Sequence, residues 1–154
     1  MPGDVPSDVQ FMHDALQQAE YARRSGEVPV GAVLVHEGRV VAAGANCPIG
    51  TNDPTAHAEV EALRSGGRSL NSYRLTDTTL YVTLEPCPMC ASAIVHARVR
   101  RLVFGAWDPR AGAAGSVIDL FALPGLNHRV DVFGGVLMEE CAGLLKAFFA
   151  GQRV

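Results

Sequence analysis

The sequence predicts an α/β fold in which helices cover both faces of a mixed β-sheet. Short β-prone runs alternate with segments of helical periodicity, which is the pattern of that fold class. The first two β-prone runs are separated only by residues 36–38, a tight hairpin turn, so the sheet contains antiparallel strands. With 154 residues, of which 48% are hydrophobic, the chain is expected to form one domain over residues 1–154.

The first half of the chain contains two predicted helices and a hairpin. Ser7 and Gln10 form a capping box at the start of a helix that ends near Gly26. Thr55 is predicted to cap a second helix, which runs to about residue 64 with Gly66 and Gly67 as its stop. Strands are predicted at 30–35, 39–43, 79–84, 101–106 and 130–133.

The second half contains two more predicted helices. Pro86 stands where a helix can begin, and residues 90–96 supply the body of that helix. A glycine-rich loop containing Gly112 and Gly115 follows the fourth strand, and a final helix is predicted over residues 136–150.

Charge and composition exclude some function classes. The net charge is −3, which argues against a protein that binds nucleic acid through a broad basic surface, so RNA contact would require a local patch. No basic and apolar leader and no long apolar run are visible, so we expect a cytoplasmic protein with no membrane span. Cys47 and Cys141 stand alone in the sequence and are interpreted as idle or buried thiols.

Two short segments contain residues typical of a metal site. His57 and Glu59 stand at the start of one predicted helix and Cys87 and Cys90 at the start of another, where backbone N–H groups favour thiolates. His57, Cys87 and Cys90 make three zinc ligands, which leaves a fourth position open for water, as in catalytic zinc sites. Zinc lowers the pKa of bound water, and Glu59 is the predicted group that moves the proton.

Each segment also has a simpler explanation. Taken alone, a C-x-x-C pair such as Cys87 and Cys90 is about as typical of a thioredoxin-like redox pair as of a metal site. Most His-x-Glu pairs carry no chemistry. Both segments in this order, each after a turn and before a helix, favour the zinc site.

Longer stretches of the chain resemble the zinc-dependent cytidine and adenosine deaminases, and within them the bacterial tRNA-specific adenosine deaminases. The resemblance covers about residues 8–151. The matching stretches are 27–35, 52–59, 73–75, 80–87, 103–106, 112–116 and 127–129.

The resemblance implies a three-layer α/β/α sandwich around a five-stranded sheet, one Zn²⁺ per subunit, and a homodimer. It implies that the enzyme converts adenosine to inosine at wobble position 34 of tRNA-Arg(ACG), acting on the anticodon stem-loop. The adenine would be flipped out of its stack, attacked at C6 by zinc-activated water, and would release ammonia. The same resemblance assigns His57, Cys87 and Cys90 as ligands and Glu59 as general acid and base.

Four further residues match substrate contacts of that family. Asn46 matches an asparagine that holds the flipped nucleotide, Val30 and Leu84 match apolar residues near the pocket, and Asp108 matches an aspartate that contacts the anticodon-loop backbone. All four also suit strands or turns of any α/β protein. Four arginines could contact phosphate groups: Arg98, Arg100, Arg101 and Arg110. The first three could equally form a solvated face or part of a subunit interface.

Two other functions remain open from the sequence. The same zinc chemistry would serve a deaminase of a free base or nucleoside, of guanine or cytosine type. A zinc-stabilised binding module would need the three ligands but not Glu59, so Glu59 distinguishes an enzyme from such a module.

Overall fold

A computed structural model describes residues 6–152 of the chain. The helices are α1 (Pro6–Arg24), α2 (Pro48–Thr51), α3 (Ala58–Leu70), α4 (Pro88–His96) and α5 (Met138–Gln152). The strands are β1 (Gly31–His36), β2 (Arg39–Ala45), β3 (Thr78–Leu84), β4 (Arg101–Ala106) and β5 (Asp131–Gly134). A single 3₁₀ turn, Leu120–Ala122, lies in the loop before β5.

The five strands form one mixed sheet in the order β2-β1-β3-β4-β5. Strand β1 pairs antiparallel with both β2 and β3, whereas β3, β4 and β5 are parallel. The predicted fold class, an α/β protein with a five-stranded mixed sheet, is confirmed. Within residues 6–152, no helix combines the length and apolar content needed to cross a bilayer.

Alternating side chains of the strands build two cores, one on each face of the sheet. Leu34 and Leu80 belong to the core that includes residues of α3 and α4, whereas Val33 and Tyr81 belong to the core that includes residues of α1 and α5. This period of two is what a strand buried on both faces requires. The molecule therefore has three layers, with α3 and α4 on the face that also carries the site described below.

Two glycines let a helix backbone lie directly on the sheet from either side. A Cβ atom on Gly31 in β1 would collide with the backbone of Ala15 and Ala19 in α1. A Cβ atom on Gly44 in β2 would collide with the carbonyl oxygen of Ala58 and lie 2.6 Å from the nitrogen of Ala62, both in α3. Both positions require glycine because no larger residue fits between helix and strand.

A buried polar group joins α1 to the sheet. Asp8 is 1% exposed and accepts two hydrogen bonds from the Arg101 guanidinium, at 2.8 Å and 2.6 Å, and one from the Tyr81 hydroxyl at 2.6 Å. The guanidinium also lies over the Phe133 ring, 4.8 Å from its centroid. Arg101 therefore serves the fold, a role that was not among the interpretations drawn from the sequence.

Several predicted boundaries were wrong. The first helix begins at Pro6 rather than at a Ser7 cap. Helix α3 runs through Gly66 and Gly67 and ends at Leu70, and the left-handed backbone of Asn71 provides the C-cap. Helix α4 begins at Pro88 rather than at Pro86.

Two short elements were absent from the prediction. They are α2, inside the loop predicted at 46–54, and the 3₁₀ turn. Both are single turns, too short to produce helical periodicity.

Candidate metal centre and active site

The three predicted metal ligands converge on one point. The Nδ1 atom of His57 lies 3.6 Å from the Cys87 sulfur and 3.5 Å from the Cys90 sulfur. All three ligand atoms lie within 4.8 Å of one another. His57 and Cys87 are half-buried, and Cys90 is fully buried. These residues are therefore positioned to coordinate a metal ion.

The local fold explains why these side chains meet. His57 is the N-cap of α3 and Cys87 is the N-cap of α4, and both have extended backbone, with φ and ψ of −73° and 155° in one and −74° and 172° in the other. Neither side chain caps its own helix. The structure corrects the predicted Thr55 cap, because Thr55 instead donates its backbone N–H and hydroxyl to Asp53 in a turn.

The spacing of the ligand atoms fits zinc. Zn–N bonds of about 2.0 Å and Zn–S bonds of about 2.3 Å at a tetrahedral angle place nitrogen and sulfur about 3.5 Å apart. The two observed distances from His57 are 3.5 Å and 3.6 Å. One imidazole and two thiols are also a donor set that zinc prefers. The residues present thus fit the predicted Zn²⁺.

The thiols of Cys87 and Cys90 differ strongly in pKa. The pKa of Cys87 is lowered to about 4, first because the Cys90 thiol donates a hydrogen bond to it and then because His57 does; burial opposes this. The hydrogen bond to Cys87 is also the first cause of the raised pKa of Cys90 and of the raised pKa of His57. Since zinc binds thiolates and neutral imidazole, its binding releases protons.

Glu59 lies beside this group in the first turn of α3. Its side chain is buried, with 4% exposure, and it interacts electrostatically with Cys87 and His57. Burial raises the pKa of the Glu59 carboxyl to about 7. A carboxyl with such a pKa can both accept and return a proton at neutral pH.

Three of the predicted substrate contacts meet at one edge of the sheet. Because β1 is antiparallel to β3, the start of β1 lies beside the end of β3, which is also the end that precedes the metal ligands of α4. Leu84 ends β3, Val30 precedes β1, and the backbone N–H of Asn46 donates to the Val30 carbonyl at 3.0 Å. Val30 is buried, whereas Asn46 and Leu84 are half-buried.

Asp108 follows β4 at the same edge. Its Oδ1 atom accepts hydrogen bonds from the backbone of Arg110 at 2.9 Å and of Ala111 at 3.3 Å, so part of its carboxylate stabilises a local turn.

Two of the arginines considered as phosphate contacts have different surroundings. Arg98 donates to the Asn127 carbonyl at 3.0 Å. Arg110, by contrast, is exposed beside Asp108.

Sequence analysis assigned no role to Glu85, although this residue lies between β3 and the metal-binding turn. Its side chain is 2% exposed and accepts hydrogen bonds from Asp108, Ala114 and Ser116. The available signal was an acidic residue directly after an apolar strand and before a proline, because acidic side chains are rarely buried without partners.

The two remaining cysteines lie outside the group of metal ligands; Cys141 is buried and Cys47 is half-buried. Neither Cys47 nor Cys141 forms a disulfide. Burial raises the pKa of Cys141 to about 12 and also raises that of Cys47, so both thiols are protonated at neutral pH.

Comparison with known proteins decides the family. Residues 6–106 match the model for the cytidine and deoxycytidylate deaminase zinc-binding region. The chain belongs to this deaminase family. The match includes all three metal ligands and Glu59, so the predicted enzyme class, a zinc-dependent deaminase, is confirmed along with its cofactor.

Within the deaminase family, similar proteins are tRNA deaminases. The tRNA-specific adenosine deaminase of Haemophilus influenzae is 50% identical over 147 residues, covering 95% of this chain and 85% of the relative. A chain solved in a study of A-to-I editing by tRNA:A34 deaminases has a TM-score of 0.86 and 47% identity, covering 88% of this chain and 99% of that one. The guanine deaminase of Bacillus subtilis is more distant, with a TM-score of 0.63 and 34% identity, covering 94% and 93%.

Proposed function

We propose that this protein deaminates adenosine to inosine at the wobble position, position 34, of tRNA-Arg(ACG). The observation that supports this most directly is the convergence of His57, Cys87 and Cys90 beside the buried carboxyl of Glu59. The identity of 50% to a tRNA-specific adenosine deaminase favours tRNA over a free base, since the guanine deaminase is only 34% identical.

In the proposed mechanism, zinc supplies an activated water molecule for hydrolytic replacement of the adenine amino group. His57, Cys87 and Cys90 hold the metal. Glu59 passes one proton of the attacking water to the ring nitrogen and then moves the second water proton to the departing amine, which leaves as ammonia. The burial of Glu59 keeps bulk water from competing for that proton.

The predicted substrate contacts form part of the same proposal. Asn46 would hold the flipped nucleotide through its amide, Val30 and Leu84 would contact the base, and Asp108 would contact the anticodon-loop backbone. The base has to leave its stack to reach a half-buried metal site, so the anticodon stem-loop is a suitable partner. We further propose that residues 1–154 form a single deaminase domain, that it works as a homodimer, and that it is cytoplasmic.

An inosine assay tests the proposal. Zinc-loaded protein is incubated with tRNA-Arg bearing an ACG anticodon, and inosine at position 34 is quantified; the same tRNA with guanosine at position 34 is the RNA control. Glu59→Gln keeps the shape of the side chain and is expected to lower the rate at least about 100-fold while retaining zinc.

Glu61→Gln is the matched variant. Glu61 lies in the same turn of α3 and forms a surface ion pair with Arg64, so its loss is expected to change the rate by less than about threefold. Inosine formation by Glu59→Gln at the wild-type rate would contradict the proton-transfer role. Guanine or cytosine turnover with inert tRNA would indicate the free-base deaminase, and RNA binding without turnover the binding module.

A further inference from the structure

Four hydrogen bonds join the carboxylate of Glu85 to the loop over residues 107–116, which is distant from Glu85 in sequence. Oε1 accepts from the backbone N–H of Asp108 at 2.9 Å and from the Ser116 hydroxyl. Oε2 accepts from the backbone N–H groups of Ala114 at 2.9 Å and Ser116 at 3.0 Å. Because the side chain is 2% exposed and both oxygens are occupied by this loop, Glu85 itself does not face a substrate.

A backbone bond attaches the same loop at one more point, and a second joins Glu85 to the end of β4, from which the loop starts. The N–H of Glu85 donates to the Ala106 carbonyl at 2.8 Å, and the N–H of Ala113 donates to the Pro86 carbonyl at 2.8 Å. Glu85 and Pro86 directly precede the ligand Cys87. The loop over residues 107–116 is therefore attached to the segment that leads into the metal centre.

Gly112 leaves no room for a different arrangement. A Cβ atom there would collide with the carboxyl group of Glu85 and would lie 2.5 Å from the carbonyl oxygen of Asp108. The carboxylate thus fills the space inside the loop, and the loop backbone wraps closely around it.

We propose that Glu85 is a positioning residue that holds loop 107–116 in place beside the segment leading into the metal centre, so that Asp108 meets the RNA backbone. This inference rests on the proposed function, because it assigns the loop to tRNA contact. Glu85 acts through the loop, and the three metal ligands are fixed separately by the N-termini of α3 and α4.

Glu85→Gln tests this inference with almost no change in side-chain volume. One carboxylate oxygen becomes an NH₂ group, which then faces at least one backbone N–H donor of the loop. Such an unpaired buried donor loosens the loop, so we expect the KM for tRNA-Arg(ACG) to rise about tenfold or more. We expect kcat to change less than about threefold, with zinc retained at one per chain.

Hydrogen–deuterium exchange supplies a readout that needs no turnover. In zinc-loaded Glu85→Gln, exchange is expected to rise in residues 108–116. Glu27→Gln is the matched control, since Glu27 is also buried and accepts two backbone hydrogen bonds, but from Ile49 at 3.1 Å and Gly50 at 2.7 Å. Its effect is expected around residues 49–50 and not in the loop.

Three results would overturn the inference: loss of zinc in parallel with activity, unchanged exchange in the loop, or a fall in kcat with KM unaltered. If Glu85→Gln does not fold, Ser116→Ala removes one of the four hydrogen bonds and is expected to double the KM with kcat unchanged. If wild-type protein forms no inosine, the proposed function fails, and the exchange comparison still decides whether Glu85 holds the loop.

Discussion

Replacing Asp8 with alanine is expected to destabilise the protein strongly. The change leaves the Arg101 guanidinium, whose side chain is 17% exposed, without its bidentate carboxylate, and the Tyr81 hydroxyl without its acceptor. Removing one partner of a buried ion pair costs about 3–5 kcal/mol. For a domain of about 150 residues this corresponds to a fall in Tm of about 6–20 °C.

Urea unfolding of zinc-loaded Asp8→Ala measures this cost at neutral pH. The midpoint is expected to fall while the slope m stays constant, because the change affects stability rather than the surface exposed on unfolding. Asp14→Ala, on the same helix, is the matched control and is expected to change stability by less than about 0.5 kcal/mol. Equal losses in both variants would refute the role assigned to the buried ion pair.

The pH dependence gives a second check. Burial by itself would raise the pKa of Asp8, but hydrogen bonds from Arg101 and Tyr81 outweigh it and hold the pKa below 3.8. A lowered folded-state pKa stabilises the fold above the unfolded-state pKa, and this stabilisation disappears as pH falls through the folded value. The gap between wild type and Asp8→Ala should therefore be largest above pH 4 and should shrink below it; a gap that widens in acid would contradict the assignment.

Three further predictions concern the metal and the sheet. Cys90→Ala is expected to lose zinc and, at a metal concentration 100 times Kd, about 2.7 kcal/mol of stability; full zinc content by metal analysis would remove Cys90 from the site. Gly44→Ala would place a methyl group against the carbonyl of Ala58, so we expect it to lower the free energy of unfolding by about 1–3 kcal/mol and to weaken zinc binding. Gly143→Ala, with open space around it, is the control and should leave the thermal melt nearly unchanged. In chelator-treated protein, burial raises the pKa of Glu59 from 4.5 to about 7. The free energy of unfolding should therefore fall by up to about 3 kcal/mol as the pH rises from 4.5 to about 7. Glu59→Gln should lack that fall, and parallel pH profiles would exclude a raised pKa for this carboxyl.

Local patterns were sufficient to predict the sheet but not the helix ends. Strand β4 was predicted at residues 101–106, as observed, because an apolar β-prone run is a local signal. The predicted stop of α3 at Gly66 failed because that glycine packs against the sheet; a Cβ there would lie 2.5 Å from Leu34 Cδ2. Close packing offsets the cost of glycine inside a helix, and such packing is not visible in sequence.

The same distinction applies to the site. His57, Cys87 and Cys90 were predictable because metal ligands occur in recognisable spacings, and each is the N-cap of a helix or lies in its first turn. Glu85 was missed because its partners Asp108 and Ser116 lie 23 and 31 residues further along the chain. A carboxylate that binds loop amides leaves no periodic pattern, since amides belong to every residue type except proline.

The direct seating of α3 on Gly44 has a consequence for how this enzyme can diversify. The carbonyl group of Ala58, the residue that follows His57, lies against Gly44, so main-chain atoms set the distance from the sheet to His57. Main-chain atoms are the same whatever side chains surround them. Core volumes elsewhere can drift over many substitutions while the imidazole stays in place. Substitutions in the two loops at 46–54 and 107–116 are then expected to change substrate preference while α3 and α4 stay in place.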